Sequence, residues 1–115
     1  MANTFKVVTK AGITTQDTIY TVAASTTTVI IGITLANTTT SQTTATVELV
    51  SDTANRAGDG TEANQTVKLV KDAPLPVGSA LEFMSGNKVI MEATDELKLT
   101  GSGATDITLS IMEIT

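Results

Sequence analysis

The chain has 115 residues, enough for one compact domain, and its 41% hydrophobic and 17% charged residues describe neither a disordered acidic tail nor a membrane segment. It contains no Cys and no His, which removes thiol nucleophiles, imidazole bases, disulfides and the usual zinc sites. Aromatic residues at 3% and a net charge of −5 argue against base stacking and against a phosphate-backbone partner.

Thr supplies roughly a fifth of the chain, and its β-branched side chain favours extended backbone. In chain order, short extended segments are predicted at 5–9 and 18–22. The segment 27–36 then sets Val29, Ile31, Ile33 and Leu35 on one face, and 43–51 does the same with Ala45, Val47 and Leu49. Segment 65–71 sets Val67 and Leu69 against Thr66 and Lys68. Further strands are expected at 80–84, 88–92 and 96–100, before 105–114 closes the series with Ile107, Leu109 and Ile111 on one side. Turn-forming clusters separate them: Asn37 to Ser41, Gly58-Asp59-Gly60, Ser85-Gly86-Asn87 and Gly101-Ser102-Gly103. The stretch DAPLPVG at 72–78 holds both prolines and reads as a crossover between sheets, entering the strand that begins at Ala80.

No window carries a helical apolar stripe. The expected fold is all-β: a single antiparallel β-sandwich domain over 1–115, of about eight strands, jelly-roll-like or immunoglobulin-like. The expected core is Val29, Ile31, Ile33, Val47, Leu49, Val67, Leu69, Leu97, Leu99, Ile107, Leu109 and Ile111. The longest apolar run, Val29-Ile30-Ile31-Gly32-Ile33, is far below the roughly 20 residues that span a bilayer, so no membrane partner is expected. The opening MANTFKVVTK lacks the layout of a secretory signal.

Candidate sites reduce to surface features. Asp52, Asn55 and Asp59 with Gly58 and Gly60 imitate an oxygen-rich calcium loop, but without the EF-hand spacing or its bidentate Glu. Glu92, Asp95 and Glu96 form an acidic cluster that reads as a charged turn before a strand, with no aromatic-lined cleft for glycosidase chemistry. Gly101-Ser102-Gly103 precedes a β pattern, not a helix N-terminus that could hold phosphate. Met84, Met91 and Met112 are expected to fill gaps in a core short of aromatics. These residues predict no catalytic, cofactor or metal site, and a protein that is not an enzyme.

One strand departs from simple alternation. In the last segment Met112 and Ile114 oppose the inward Ile107, Leu109 and Ile111, so that strand is apolar on both sides. Small Thr-rich sandwiches also have open strand edges, and here few charges blunt them. Met112 and Ile114 are therefore expected either to form an assembly interface or to cover the end of the sandwich core.

The order of segments is more specific. IYTVAASTTTVIIGITLANTTTS is followed by a polar loop, then VKLVKDAPLPVGSALEF, then KVIMEATDELKLTGSGATDITLSIMEI. From Ile19 to Ile114 this resembles the small Thr-rich virion structural proteins of tailed phages, particularly marine and cyanobacterial ones. In that family Asn37 corresponds to a recurrent Asn that ends the third strand, where an Asx turn would begin. The family's Gly-Asp in the tail is Thr94-Asp95 here, so a turn without positive φ is expected. The resemblance implies a virion component made in the host cytoplasm. It would be a capsid decoration (cement) protein on the major capsid protein, or a neck, tail or baseplate component, or a carbohydrate-binding module of a fibre. Self-association, as a trimer at capsid symmetry axes, is expected with the first.

Overall fold

The computed structural model describes residues 2–51, 65–82 and 87–115. Among these, the chain forms nine strands: β1 (Asn3–Ile13), β2 (Asp17–Thr21), β3 (Thr27–Asn37), β4 (Thr43–Ser51), β5 (Gln65–Leu75), β6 (Ala80–Glu82), β7 (Val89–Met91), β8 (Glu96–Gly101) and β9 (Thr105–Ile114). Every pairing is antiparallel. One sheet runs β1-β9-β3-β6, with β7 also on β3, and the other runs β2-β8-β4-β5.

β6 pairs with Thr34–Ala36 and β7 with Thr28–Ile30, so the two lie end to end along one edge of β3. Counted as one interrupted strand, they complete a simple scheme. The first half of the chain pairs with the second half in reverse order: β1 with β9, β2 with β8, β3 with β6 and β7, β4 with β5. This is a long antiparallel ribbon wrapped into two sheets, which is the jelly roll and not the immunoglobulin arrangement. Segment 72–78 does make the crossover. Asp72 to Leu75 finish β5 on the edge of one sheet, and Ser79 N–H closes a turn on Pro76 O at 3.2 Å before β6 enters the other. Pro74 is tolerated because an edge strand has a side on which no ladder bond is needed.

The core lies between the sheets and is almost wholly aliphatic. Ile33, Val47, Leu97, Leu99, Ile107, Leu109 and Ile111 are buried in it as the alternation predicts, joined by Leu35, Leu75 and Met91. Three expected members are elsewhere. β3 pairs Ile30 with Ile111 but Gly32 with Ser110, so Ile31 is an extra residue in a bulge. Alternation restarts there: Thr28 and Ile30 point inward before it, Ile33 and Leu35 after it, leaving Val29 outward and Ile31 37% exposed. Val67 is 49% exposed, because it sits on edge strand β5 opposite Leu49, which is itself only half-buried. Leu69 is also only partly buried against the core.

The turns are built by side chains. Gly101 ends β8 where a Cβ would lie 2.7 Å from Ile13 O, so no larger residue fits without moving backbone. Between β7 and β8, Asp95 is buried and its Oδ2 accepts from Glu92 N–H at 3.0 Å, while Thr94 N–H reaches Val22 O. This corrects the expectation for that turn: Thr94 has φ of 72°, the left-handed conformation that a glycine takes without strain. Thr94→Gly is therefore expected to raise stability by about 0.5–1 kcal/mol, the relieved strain being partly offset by a more flexible unfolded chain. A denaturant midpoint that falls would contradict it.

Thr43 offers a second stabilising change. Its Oγ1 is buried with no hydrogen-bond partner among the described residues. Thr43→Val keeps the shape and removes the orphaned hydroxyl, which is expected to gain about 1 kcal/mol in thermal unfolding.

Candidate assembly face

The outer face of the β1-β9-β3 sheet is the feature that sets this molecule apart. Register places Phe5 beside Met112, Met112 beside Val29, and Val29 beside Ile90, one apolar row across four strands. Neighbouring rows are Asn3–Ile114–Thr27 on one side and Val7–Ser110–Gly32 on the other, followed by Thr9–Thr108–Thr34. Phe5, Val7 and Ile90 are 73%, 65% and 61% exposed. Open apolar side chains grouped this way on a sheet face make it the candidate assembly surface among the described residues.

The charges of these strands are turned away from it. Lys6 and Lys10 of β1 and Glu113 of β9 stand on the inward side, and Asp106 alone points outward from β9, at the far end, accepting from Gly12 N–H at 2.9 Å. Lys6 Nζ binds Glu113 Oε1 at 2.8 Å, and Lys10 Nζ crosses to Asp17 Oδ2 of β2 at 2.9 Å. From the opposite sheet, the Tyr20 hydroxyl donates to Glu113 Oε2 at 2.5 Å. An ionised carboxylate can only accept, so the Thr28 hydroxyl, 2.8 Å away, donates to the phenol oxygen. The polar end of the sandwich is thus satisfied internally.

This network gives the fold a pH signature. Hydrogen bonds from Lys6 and Tyr20 hold Glu113 below the ordinary carboxylate value of 4.5, and Lys68 does the same for Glu48 on β4, where Gln16 also donates. Stability from these lowered groups is present above pH 4.5 and is lost as pH falls through their folded values. Burial, followed by the bond to Glu113, pushes Tyr20 from 10.0 up to about 12. Its share is full below pH 10.0 and disappears as pH rises towards 12. Tyr20→Phe should cost about 1–3 kcal/mol at neutral pH, by stranding the buried Thr28 hydroxyl, and should remove the alkaline loss. Thermal melts of both proteins across the pH range measure this.

The sequence expectation that Met112 fills a gap in the core, as Met91 does, is corrected: β9 turns it to the outer face, where it lies half-buried in the middle of the apolar row, with Ile114, the other expected interface residue, half-buried beside that row. Sequence reasoning did not find Phe5, Val7 and Ile90, and it assigned Val29 to the core. Only the strand order makes them neighbours, although the Ile30-Ile31-Gly32 run carried a bulge signal. The acidic cluster is dispersed into structural contacts: Asp95 builds its turn, and Glu96 lies 3.8 Å from Lys98. Gly101-Ser102-Gly103 forms the β8–β9 turn, where Ser102 Oγ accepts from Thr44 N–H at 2.8 Å. The calcium-like residues Asp52, Asn55, Gly58, Asp59 and Gly60 lie outside the described residues, as does Met84. The described residues enclose no pocket and bring together no group of three metal-ligating side chains.

No family model matches the chain, and no curated protein matches it. Among solved structures it is similar to a chain of the Bacillus endospore appendages, which form a novel family of disulfide-linked pili. The two share 16% identity with a TM-score of 0.48, over 99% of this chain and 87% of that one.

Proposed function

We propose that this chain is a structural subunit of a phage virion and not an enzyme, serving as a capsid decoration protein that sits on the major capsid protein. The observation that carries the reading is the apolar row Phe5, Met112, Val29 and Ile90 across the outer sheet face, with the outward carboxylates Asp106 and Glu82 lying away from it. A chain of net charge −5 that keeps one broad face free of charge near its middle has a surface suited to being covered. The sequence resemblance supplies the particle; the face supplies the means of attachment.

Copy number tests it. Quantitative mass spectrometry of purified particles should find copies in proportion to the major capsid protein. A number set by the symmetry of a single tail or neck ring would instead place the chain in the tail machine. Met112→Lys and Ile114→Lys should weaken incorporation while leaving the monomer folded. Unchanged incorporation of both would remove this face from the contact. Hydrolysis of peptidoglycan or polysaccharide by pure protein, abolished by Glu92→Gln or Asp95→Asn, would overturn the non-enzymatic reading.

A further inference from the structure

The edges of the two sheets are unequally defended. β2 is five residues long and carries Asp17 and a register shift. β5 bears Lys68, Lys71, Asp72 and Pro74 and is shifted twice against β4. The β6/β7 edge is split into two pieces of three residues. Short length, charge, proline and bulges each stop another strand from adding. β1 has less protection. From Asn3 to Lys10 it follows β9 residue for residue without a shift, and its other edge pairs with no strand among the described residues. Its two lysines, the usual edge guards, are engaged by Glu113 and Asp17 of the same molecule.

We propose that this edge takes β1 of a second copy, antiparallel about a two-fold axis at Val7, joining two five-stranded sheets into one. Charge selects the register. Side chains alternate, so both sandwiches stay on the same side of the joined sheet only if residues of like face are opposite. An axis at Lys6 sets Lys6 against itself, and an axis at Val8 sets Lys6 against Lys10 twice. An axis at Val7 places Lys6 opposite Val8 of the partner subunit, Lys10 opposite Thr4 of the partner subunit and Phe5 opposite Thr9 of the partner subunit. Moving the axis further towards either end shortens the ladder. Each lysine brings its own carboxylate, so the joint is locally neutral although the chain is acidic. The apolar part of the outer face then meets its counterpart across the joint. This two-fold pair replaces the trimer expected from the sequence, since an isologous edge contact closes at two.

Sedimentation of the full chain over a concentration series should show a dimer, and amide exchange from Asn3 to Lys10 should slow as the dimer fills. Val7→Lys and Val7→Glu should each weaken association by about tenfold or more in Kd, with fold checked by circular dichroism. An equimolar mixture of the two should pair again, because Lys then faces Glu across the axis. A wild-type chain that stays monomeric, a trimer, or a dimer indifferent to Val7→Lys would each overturn the proposal. So would a mixture of folded variants that fails to pair. If the variants do not fold, exchange at β1 that is independent of concentration overturns it. These readouts need no particle, so they stand or fall apart from the virion reading.

Discussion

Ile30→Ala is expected to cost on the order of 2–5 kcal/mol, while Ile31→Ala, one residue on, should cost less than about 1 kcal/mol. Ile30 is completely buried and packs in the core opposite Ile111, so its truncation leaves a cavity between the sheets. Ile31 occupies the bulge and is 37% exposed, so most of what its side chain loses is already in water. Unbroken alternation from Val29 to Leu35 would predict the reverse ranking. Urea unfolding of the two variants side by side therefore tests the bulge itself. Equal costs, or the larger cost at Ile31, would mean that β3 runs through without the extra residue.

Asn37→Asp should be at least as damaging, at about 3–5 kcal/mol at neutral pH. Asn37 ends β3 and is buried, with all four of its amide hydrogen bonds made. Its Oδ1 accepts from Thr39 N–H and Thr39 Oγ1, both at 2.8 Å, which is the Asx turn the sequence predicts. Its Nδ2 donates to Ser41 O at 2.9 Å and to Leu75 O, the end of β5 in the other sheet, at 2.8 Å. One side chain therefore both shapes the β3–β4 connection and ties the two sheets together. A carboxylate of the same shape keeps the Asx turn but points oxygen at two carbonyl oxygens. The new carboxyl would have a raised pKa, because its protonated form alone can donate. The deficit of the variant against wild type should therefore shrink as pH falls through that value. A constant deficit across acid pH would show that the loss comes from something other than these two acceptors.

The strands were legible because they are half-buried: a polar face and an apolar face give period-2 alternation wherever the chain is regular. Segments 43–51 and 105–114 coincide with β4 and β9 for that reason. Alternation fails where a bulge inserts a residue. Val29 and Ile31 are sent outward by the register shift between Ile30 and Gly32, which depends on pairing with β9 across most of the chain. The Thr94 turn is similar. A glycine would have announced the left-handed conformation, but Thr adopts it because Val22 and Asp95 fix the backbone on both sides.

For the candidate face, the sequence determined that β9 is apolar on both sides, and so marked Met112 and Ile114. Local alternation is a property of one strand, and one strand contains that information. Which residues surround Met112 is a property of strand order. Phe5, Val29 and Ile90 come from three other strands, and the wrapped ribbon alone sets them in one row. The same holds for the edges: Lys6 and Lys10 read as guards of an exposed strand until folding brings Glu113 and Asp17 within ion-pair distance. Residue types decide which surfaces are apolar or charged, and long-range pairing decides which of them meet.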